Sequence, residues 1–395
     1  MAYSVLVVED HPFQQQYLLE LYGSMPDVSL IAAHDGHEAL ELMKHHHFDM
    51  VLSDLMMPGM DGLQFIQRLG RFKHKPALAI MSSAPRRILI SASLAARSLG
   101  FIVVGLISKP VDLVALRGLH EKLVLLSSKA HASRKAPEEH GIACLRHAIV
   151  QGQIHPWFQP KKSLSSDRIV AAEALVRWAH PASGLLLPGD FLPEIVRHGM
   201  EEELLMNVVT RTICAQAYWE SQGYDVPVTI NLPTHLLDDD DLPDRLHQLV
   251  LSVGGTPSRI GFELMENTTT ENLGHYFAGV CRLRFKGFNL AQDDFGKGYS
   301  SYFNLASTPF TELKIDRSLV HGCVENENLA AALSSIVALG KQLGLNVVAE
   351  GVETLEELAL LNKIKCDQIQ GFLISKAVES DLFLRLLCDD GPANL

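Results

Sequence analysis

The chain has 395 residues, 47% of them hydrophobic and 20% charged, with a formal net charge of −12. This length exceeds what one hydrophobic core usually supports, so two domains are expected. An acidic balance without a long Lys/Arg run argues against general nucleic-acid binding. With no apolar run of membrane-spanning length and no signal-peptide pattern in MAYSVLVVED, a cytoplasmic protein without membrane insertion is expected. Cysteines at 144, 214, 281, 323, 366 and 388 are scattered, without metal-type spacing, and read as reduced packing residues.

From residue 3 to about 125, the runs SVLVVED, VSLIAAH, FDMVLSD, ALAIMSS and FIVVGLIS predict strands. They alternate with helical patterns: QQQYLLELYGS, HEALELMKHH, LQFIQRLGRF, RRILISASLAARSL and LVALRGLHEKLVLL. Five such units predict an α/β domain, residues 1–126, with a doubly wound five-stranded parallel sheet. The stretch SSKAHASRKAPEEHG loses apolar periodicity and predicts a linker over 127–141. Over 142–395 a longer alternation follows: IVAAEALVRW, VPVTINL, RIGFELME, GFNLAQDDFG, TELKID, LNVVAEGVE and CDQIQGFLIS. Its apolar runs end on Glu173, Asn231, Glu263, Asp293 with Asp294, Lys314, Glu350 and Gln370. A (β/α)8 barrel is expected, because its strand ends converge on the one face where active sites form.

In the first domain, Asp54 closes an apolar strand ahead of Pro58-Gly59 and Asp61-Gly62 turns, and Glu9 and Asp10 close the first strand. Three acids at neighbouring strand ends repel one another unless a cation lies between them, and hard oxygen ligands suit Mg²⁺. Asp54 then has a chemical reason to attack phosphate in line, while Ser82 and Lys109 are placed to contact the phosphoryl oxygens. The set Glu9-Asp10, Asp54, Met57-Pro58-Gly59, Ser82 and Lys109-Pro110 resembles the receiver domains of two-component response regulators. The resemblance implies phosphorylation of Asp54 by a cognate histidine kinase, with a Mg²⁺ held by Glu9, Asp10 and Asp54. Leu106 stands three positions before the lysine, where receivers commonly carry an aromatic switch residue, which leaves a receiver that only dimerises as the competing reading.

In the second domain, Glu173, Asn231, Glu263 and Asp293 offer only oxygens, which selects Mg²⁺ or Mn²⁺ over zinc. The Asp293-Asp294 pair suits a two-metal site for in-line attack on a phosphodiester, with Lys314 and Glu350 placed to orient and deprotonate a water. Residues about 142–390 resemble an EAL-type cyclic di-GMP phosphodiesterase domain. The matching motifs are Gln159-Pro160, Glu173-Ala174-Leu175 through Arg177-Trp178, Asn231-Leu232, Glu263-Leu264 with Glu266, and Asp293-Asp294-Phe295-Gly296. Gly298-Tyr299-Ser300-Ser301, Lys314-Ile315-Asp316, Ala349-Glu350-Gly351-Val352-Glu353 and Gln370-Gly371 complete the set.

The resemblance implies hydrolysis of cyclic di-GMP to linear pGpG. Glu173, Asn231, Glu263 and Asp293 would hold one metal and Asp293 with Asp294 a second, Lys314 would bind the attacking water, and Glu350 fits a ligand, the base or both. Gln159, Arg177 and Gln370 would contact the dinucleotide, and Glu266 would brace the DDFGKGYSS loop. Both domain types commonly dimerise, so a homo-oligomer is expected. Two departures from the common pattern are Met265 and Lys297, the latter either tuning phosphate binding or loop mobility or simply solvated. His45-His46-His47 reads as a polar turn, Asp238 to Asp241 as a solvated helix start, and Lys161-Lys162 as surface lysines. The competing functions are a catalytically silent cyclic di-GMP sensor or scaffold and a DNA-binding regulator, for which the C-terminal half offers no helix-turn-helix or basic module.

Overall fold

The computed structural model describes residues 3–23, 25, 27–132, 141–265, 273–297 and 302–391. Two compact units divide it, Met1–Glu138 and Glu139–Leu395.

In the first unit, β1 (Tyr3–Val8), β2 (Val28–Ala33), β3 (Met50–Asp54), β4 (Ala77–Ser82) and β5 (Val103–Ser108) form one parallel sheet in the order β2-β1-β3-β4-β5. The central strands read as unbroken apolar runs because helices cover both faces. Val5, Val7, Met50 and Leu52 pack with Leu116 and Leu119 on one side, while Leu6, Val8 and Val51 pack with Phe65, Ile66 and Ala92 on the other. Strand order reverses beside β1, which opens a crevice at the carboxyl ends of β1 and β3. The backbone turns tightly after Asp54: a Cβ at Gly62 would lie 2.2 Å from the Asp54 carbonyl oxygen, so only glycine fits there. Asp61 then caps the helix Gly62–Leu69 by accepting from the Gln64 N–H at 2.8 Å. The last helix of this unit, Leu113–Ala132, extends past residue 126 into the stretch predicted as linker.

In the second unit the strands are β6 (Ile154–Ser163), β7 (Arg168–His180), β8 (Gly184–Leu186), β9 (Val228–Asn231) and β10 (Ile260–Met265). They continue with β11 (Asn289–Phe295), β12 (Glu312–Ile315), β13 (Asn346–Ala349) and β14 (Gln368–Ile369). The order β6-β14-β13-β12-β11-β10-β9-β7 closes through a β6–β7 pairing, giving the expected barrel, with β8 added outside on β7. One strand departs from the all-parallel pattern, since β6 runs antiparallel to both β7 and β14. The cause is local: a turn of only four residues, 164–167, joins β6 to β7, and so short a connection makes a hairpin rather than a parallel crossover. Pro156 and Pro160 hide β6 from a sequence reading because proline disrupts a strand's hydrogen-bond ladder. Phe158 of β6 packs edge-on against Trp219 at 4.8 Å between ring centroids, and Phe383 lies 4.7 Å from Trp219, so two helices clamp this strand from outside.

Candidate active site

Side chains from six strands meet inside one end of the barrel, and Lys314 of β12 is their centre. Its Nζ lies 2.5 Å from Glu263 Oε2, 2.7 Å from Glu350 Oε1, 3.0 Å from Asp293 Oδ1 and 3.2 Å from Glu173 Oε2. Gln370, just after β14, donates to Glu173 Oε2 at 2.6 Å and to Gln159 Oε1 of β6 at 3.0 Å. Asn231 at the end of β9 donates to Glu173 Oε1 at 3.2 Å. Gly371 allows the close approach at β14, since a Cβ there would lie 2.2 Å from the Val352 carbonyl oxygen.

The charges at this mouth do not balance without cations. Glu173, Glu263, Asp293, Asp294 and Glu350 bring five carboxyl groups together against three ammoniums, Lys314 at the centre, Lys161 beneath Glu263 and Lys297 beside Asp294. Burial works against the Lys314 ammonium, yet Glu173, Glu263, Glu350 and Asp293 hold its pKa well above the ordinary lysine value. Burial raises Glu173 and Asp293, and neighbouring acids add to the rise. Glu350 is pushed up to about 8, chiefly by burial, against the pull of Lys314. Glu263 goes the other way: burial opposes ionisation, but Lys314 and Lys161 bring its carboxyl down to about 2.

Asp293 and Asp294 are adjacent on a strand and would ordinarily face opposite sides of the sheet. Here the β11–β12 register shifts between Gln292 and Phe295, and Asp294 takes a left-handed φ of 54°. This irregularity brings one carboxylate oxygen from each of Asp293, Asp294 and Glu350 within 4.8 Å of one another. An oxygen-only donor set with surplus negative charge fits hard divalent cations, and the Lys314 ammonium occupies the kind of place such a cation takes.

A second acidic cluster forms in the first unit, where oxygens of Glu9, Asp10 and Asp54 lie within 4.8 Å of one another. Lys109 reaches across from β5, pairing with Asp54 and with Glu9 Oε2 at 2.7 Å and donating to Gln14 Oε1 at 2.8 Å. Burial raises the Glu9 carboxyl, partly countered by Lys109, and burial fails to lower Lys109 because both acids hold it up. Ser82 is fully buried at the end of β4, its Oγ accepting from the Ala84 N–H at 3.1 Å.

Family models match both units: a response regulator receiver domain over residues 5–120 and an EAL domain over residues 143–377. The chain belongs to the EAL domain family. Among curated relatives, the chain is 30% identical over 390 residues to the cyclic di-GMP phosphodiesterase RocR of Pseudomonas aeruginosa, covering 96% of this chain and 97% of that protein. It is 32% identical over 241 residues to MucR of the same organism, a bifunctional diguanylate cyclase/cyclic di-GMP phosphodiesterase, covering 61% of this chain and 35% of MucR. Among solved structures, a PaMucR phosphodiesterase in complex with c-di-GMP is 32% identical, with a TM-score of 0.57 over 61% of this chain and 98% of that one. An EAL domain protein from Listeria monocytogenes EGD-e is 27% identical, with a TM-score of 0.54 over 61% and 95%.

The EAL barrel gathers Gln159, Glu173, Asn231, Glu263, Asp293, Asp294, Lys314, Glu350 and Gln370 at one mouth. Arg177 lies further along β7, half-buried, with Nη1 donating to the Val176 carbonyl at 2.8 Å. Glu266 and Gly298-Tyr299-Ser300-Ser301 lie outside the described residues. Two sequence expectations at this site need correction, and one open alternative is narrowed. Glu173 is not at a strand end but midway along β7, which continues to His180 because it pairs with β6 and β8 beyond the barrel rim. Lys161 is not a surface lysine: it is fully buried inside the barrel, because Gln159 and Lys161 share the inward face of β6. Lys297 is exposed but not merely solvated, since its Nζ pairs with Asp294 Oδ2 at 2.8 Å.

Sequence reasoning missed the layer beneath the mouth, formed by Lys161, Thr229 and Glu312. Each lies two residues from a site residue, namely Gln159, Asn231 and Lys314, and the period-2 repeat of a strand was the signal that could have found them. No helix among the described residues is long and apolar enough to cross a membrane. The cysteines are free, but only Cys323 and Cys366 are buried packing residues; Cys144, Cys214 and Cys388 are exposed, against the expectation that all six pack.

Proposed function

We propose that the protein is a cyclic di-GMP phosphodiesterase that opens its substrate to linear pGpG, with phosphorylation of Asp54 as its input. The observation that carries this reading is the Lys314 ammonium held by carboxylates from four separate elements, with Gln370 and Asn231 fixed on Glu173 beside it. Glu173, Asn231, Glu263 and Asp293 would hold one divalent cation, and Asp293 with Asp294 and Glu350 another. Bound there, Mg²⁺ or Mn²⁺ supplies charge neutralisation for the phosphodiester and acidity for a bound water.

Lys314 Nζ would donate to the attacking water and fix its direction toward phosphorus. Glu350, whose Oε1 lies 2.7 Å from Lys314 Nζ, accepts the proton from the water as its oxygen forms the new bond to phosphorus. The P–O3′ bond breaks, the 3′ oxygen takes a proton, and the phosphate stays on the 5′ carbon, giving pGpG. Gln159, Gln370 and Arg177 position the dinucleotide, the arginine through its rigid fork of donors. In the receiver, Lys109 already bridges Glu9 and Asp54, where it is placed to hold a phosphoryl oxygen once Asp54 is modified.

Turnover of cyclic di-GMP with Mn²⁺, followed by chromatography of pGpG, tests the reading: Glu173→Ala and Glu350→Ala are each expected to abolish it. Full turnover by either variant overturns the mechanism, and tight binding without product in the wild-type chain identifies a sensor instead. Treating the wild-type chain and Asp54→Asn with acetyl phosphate tests the input. A changed rate in the wild type alone is expected, and equal rates in both refute coupling.

A further inference from the structure

We infer that Lys161 is a positioning residue which, together with Thr229, ties down Oε1 of Glu263 and leaves Oε2 as the oxygen facing the barrel mouth; this rests on the reading of Glu263 as a metal ligand. An ammonium with no exposed surface is costly unless it is fully paired. The three protons of Lys161 have three acceptors: Glu312 Oε1 at 2.5 Å, Thr229 Oγ1 at 2.9 Å and Glu263 Oε1 at 3.2 Å. Thr229, having accepted from Lys161, donates its own proton to Glu263 Oε1 at 2.5 Å. The far end is fixed as well, with Asn346 Nδ2 donating to Glu312 Oε2 at 3.1 Å.

The result is a directional chain across the barrel floor. Asn346 orients Glu312, Glu312 holds Lys161, and Lys161 and Thr229 converge on one oxygen of Glu263. The other oxygen, Oε2, meets Lys314 at 2.5 Å on the side of the mouth. Glu263 therefore presents a single oxygen in a fixed direction, and rotation of its carboxylate would break both contacts from below. Groups that orient a metal ligand in this way change metal affinity by roughly 10–100-fold when removed. A role confined to neutralising buried charge makes a different prediction. Deleting Lys161 and Glu312 together would then restore everything, because the pair cancels.

The experiment is Mn²⁺ binding to the full chain, measured by the loss of the free-ion electron paramagnetic resonance signal, with thermal melts on the same samples. Lys161→Met alone is expected to lower the melting temperature and weaken Mn²⁺ binding. The double variant Lys161→Met with Glu312→Gln is expected to recover the melting temperature while Mn²⁺ affinity stays about 10–100-fold down. Wild-type affinity in the double variant overturns the inference. Thr229→Val buries no new charge, so it keeps the test alive where the lysine variants do not fold. It is expected to weaken Mn²⁺ binding at a near-native melting temperature, and wild-type affinity in it also overturns the inference. Glu263→Gln separates the two levels: if it binds Mn²⁺ like the wild type, the ligand assignment itself fails. If it loses affinity while Thr229→Val and the double variant do not, only the role of Lys161 fails.

Discussion

Replacing Lys314 by methionine keeps the length of the side chain and removes its charge. In the metal-free protein, Glu173, Asp293 and Glu350 would then lose the ammonium they share and Glu263 would keep only Lys161, all around a side chain that is 1% exposed. Removing one partner of a buried ion pair costs about 3–5 kcal/mol. Protonation of Glu350 and Glu173, whose pKa values already lie above the ordinary carboxylate range, relieves part of that, so the lower end, about 3 kcal/mol, is expected. For a unit of this size, each kcal/mol shifts the midpoint by about 2–4 °C, so the barrel transition should fall by about 6–12 °C in EDTA. Mn²⁺ supplies the missing positive charge, and at about 100 times its dissociation constant it should return about 2.7 kcal/mol. Differential scanning calorimetry with and without Mn²⁺ reads both effects. A metal-free Lys314→Met protein that melts within about 2 °C of the wild type would refute the argument that these acids depend on Lys314 for their charge balance.

The pH dependence of stability should change in Glu350→Gln. The folded carboxyl titrates near 8 and the unfolded one near 4.5, so between these values the native state holds a proton that the unfolded state has released. Native stability is therefore greatest toward the acid end of that window and is lost as pH rises, by about 1.4 kcal/mol per pH unit from this group. Urea unfolding of metal-free protein should show Glu350→Gln gaining on the wild type from pH 6 to 8, and a constant difference would contradict the assignment. Lys297→Ala should release Asp294 Oδ2 and raise Mn²⁺ affinity, by less than about fivefold because a half-exposed pair contributes at most about 1 kcal/mol. Calorimetric titration checks it, and weaker binding would show that Lys297 does not compete for that oxygen.

Much of this protein is legible in its residues because each βα unit announces itself locally. The five apolar runs of the receiver correspond to β1 through β5, and Asp54, Glu9 and Asp10 fall at neighbouring strand ends as their positions after those runs required. Most of the barrel carboxylates, Lys314 and Gln370 were likewise readable as polar residues in or just after the last residues of apolar runs, whereas Glu173 lies midway along β7. What the sequence determined by itself was therefore the fold class and which polar residues stand on or just after the strands of both units. The tertiary structure decided the rest. Prolines concealed β6, and only closure of the barrel, by reversing that strand against β7 and β14, turned Lys161 from an apparent surface lysine into a buried one. A register shift and a left-handed residue brought Asp293 and Asp294 to the same face, against the alternation that adjacency predicts. Both outcomes depend on how strands from distant parts of the chain pair, and the residues within a single strand do not encode its partner's direction or register.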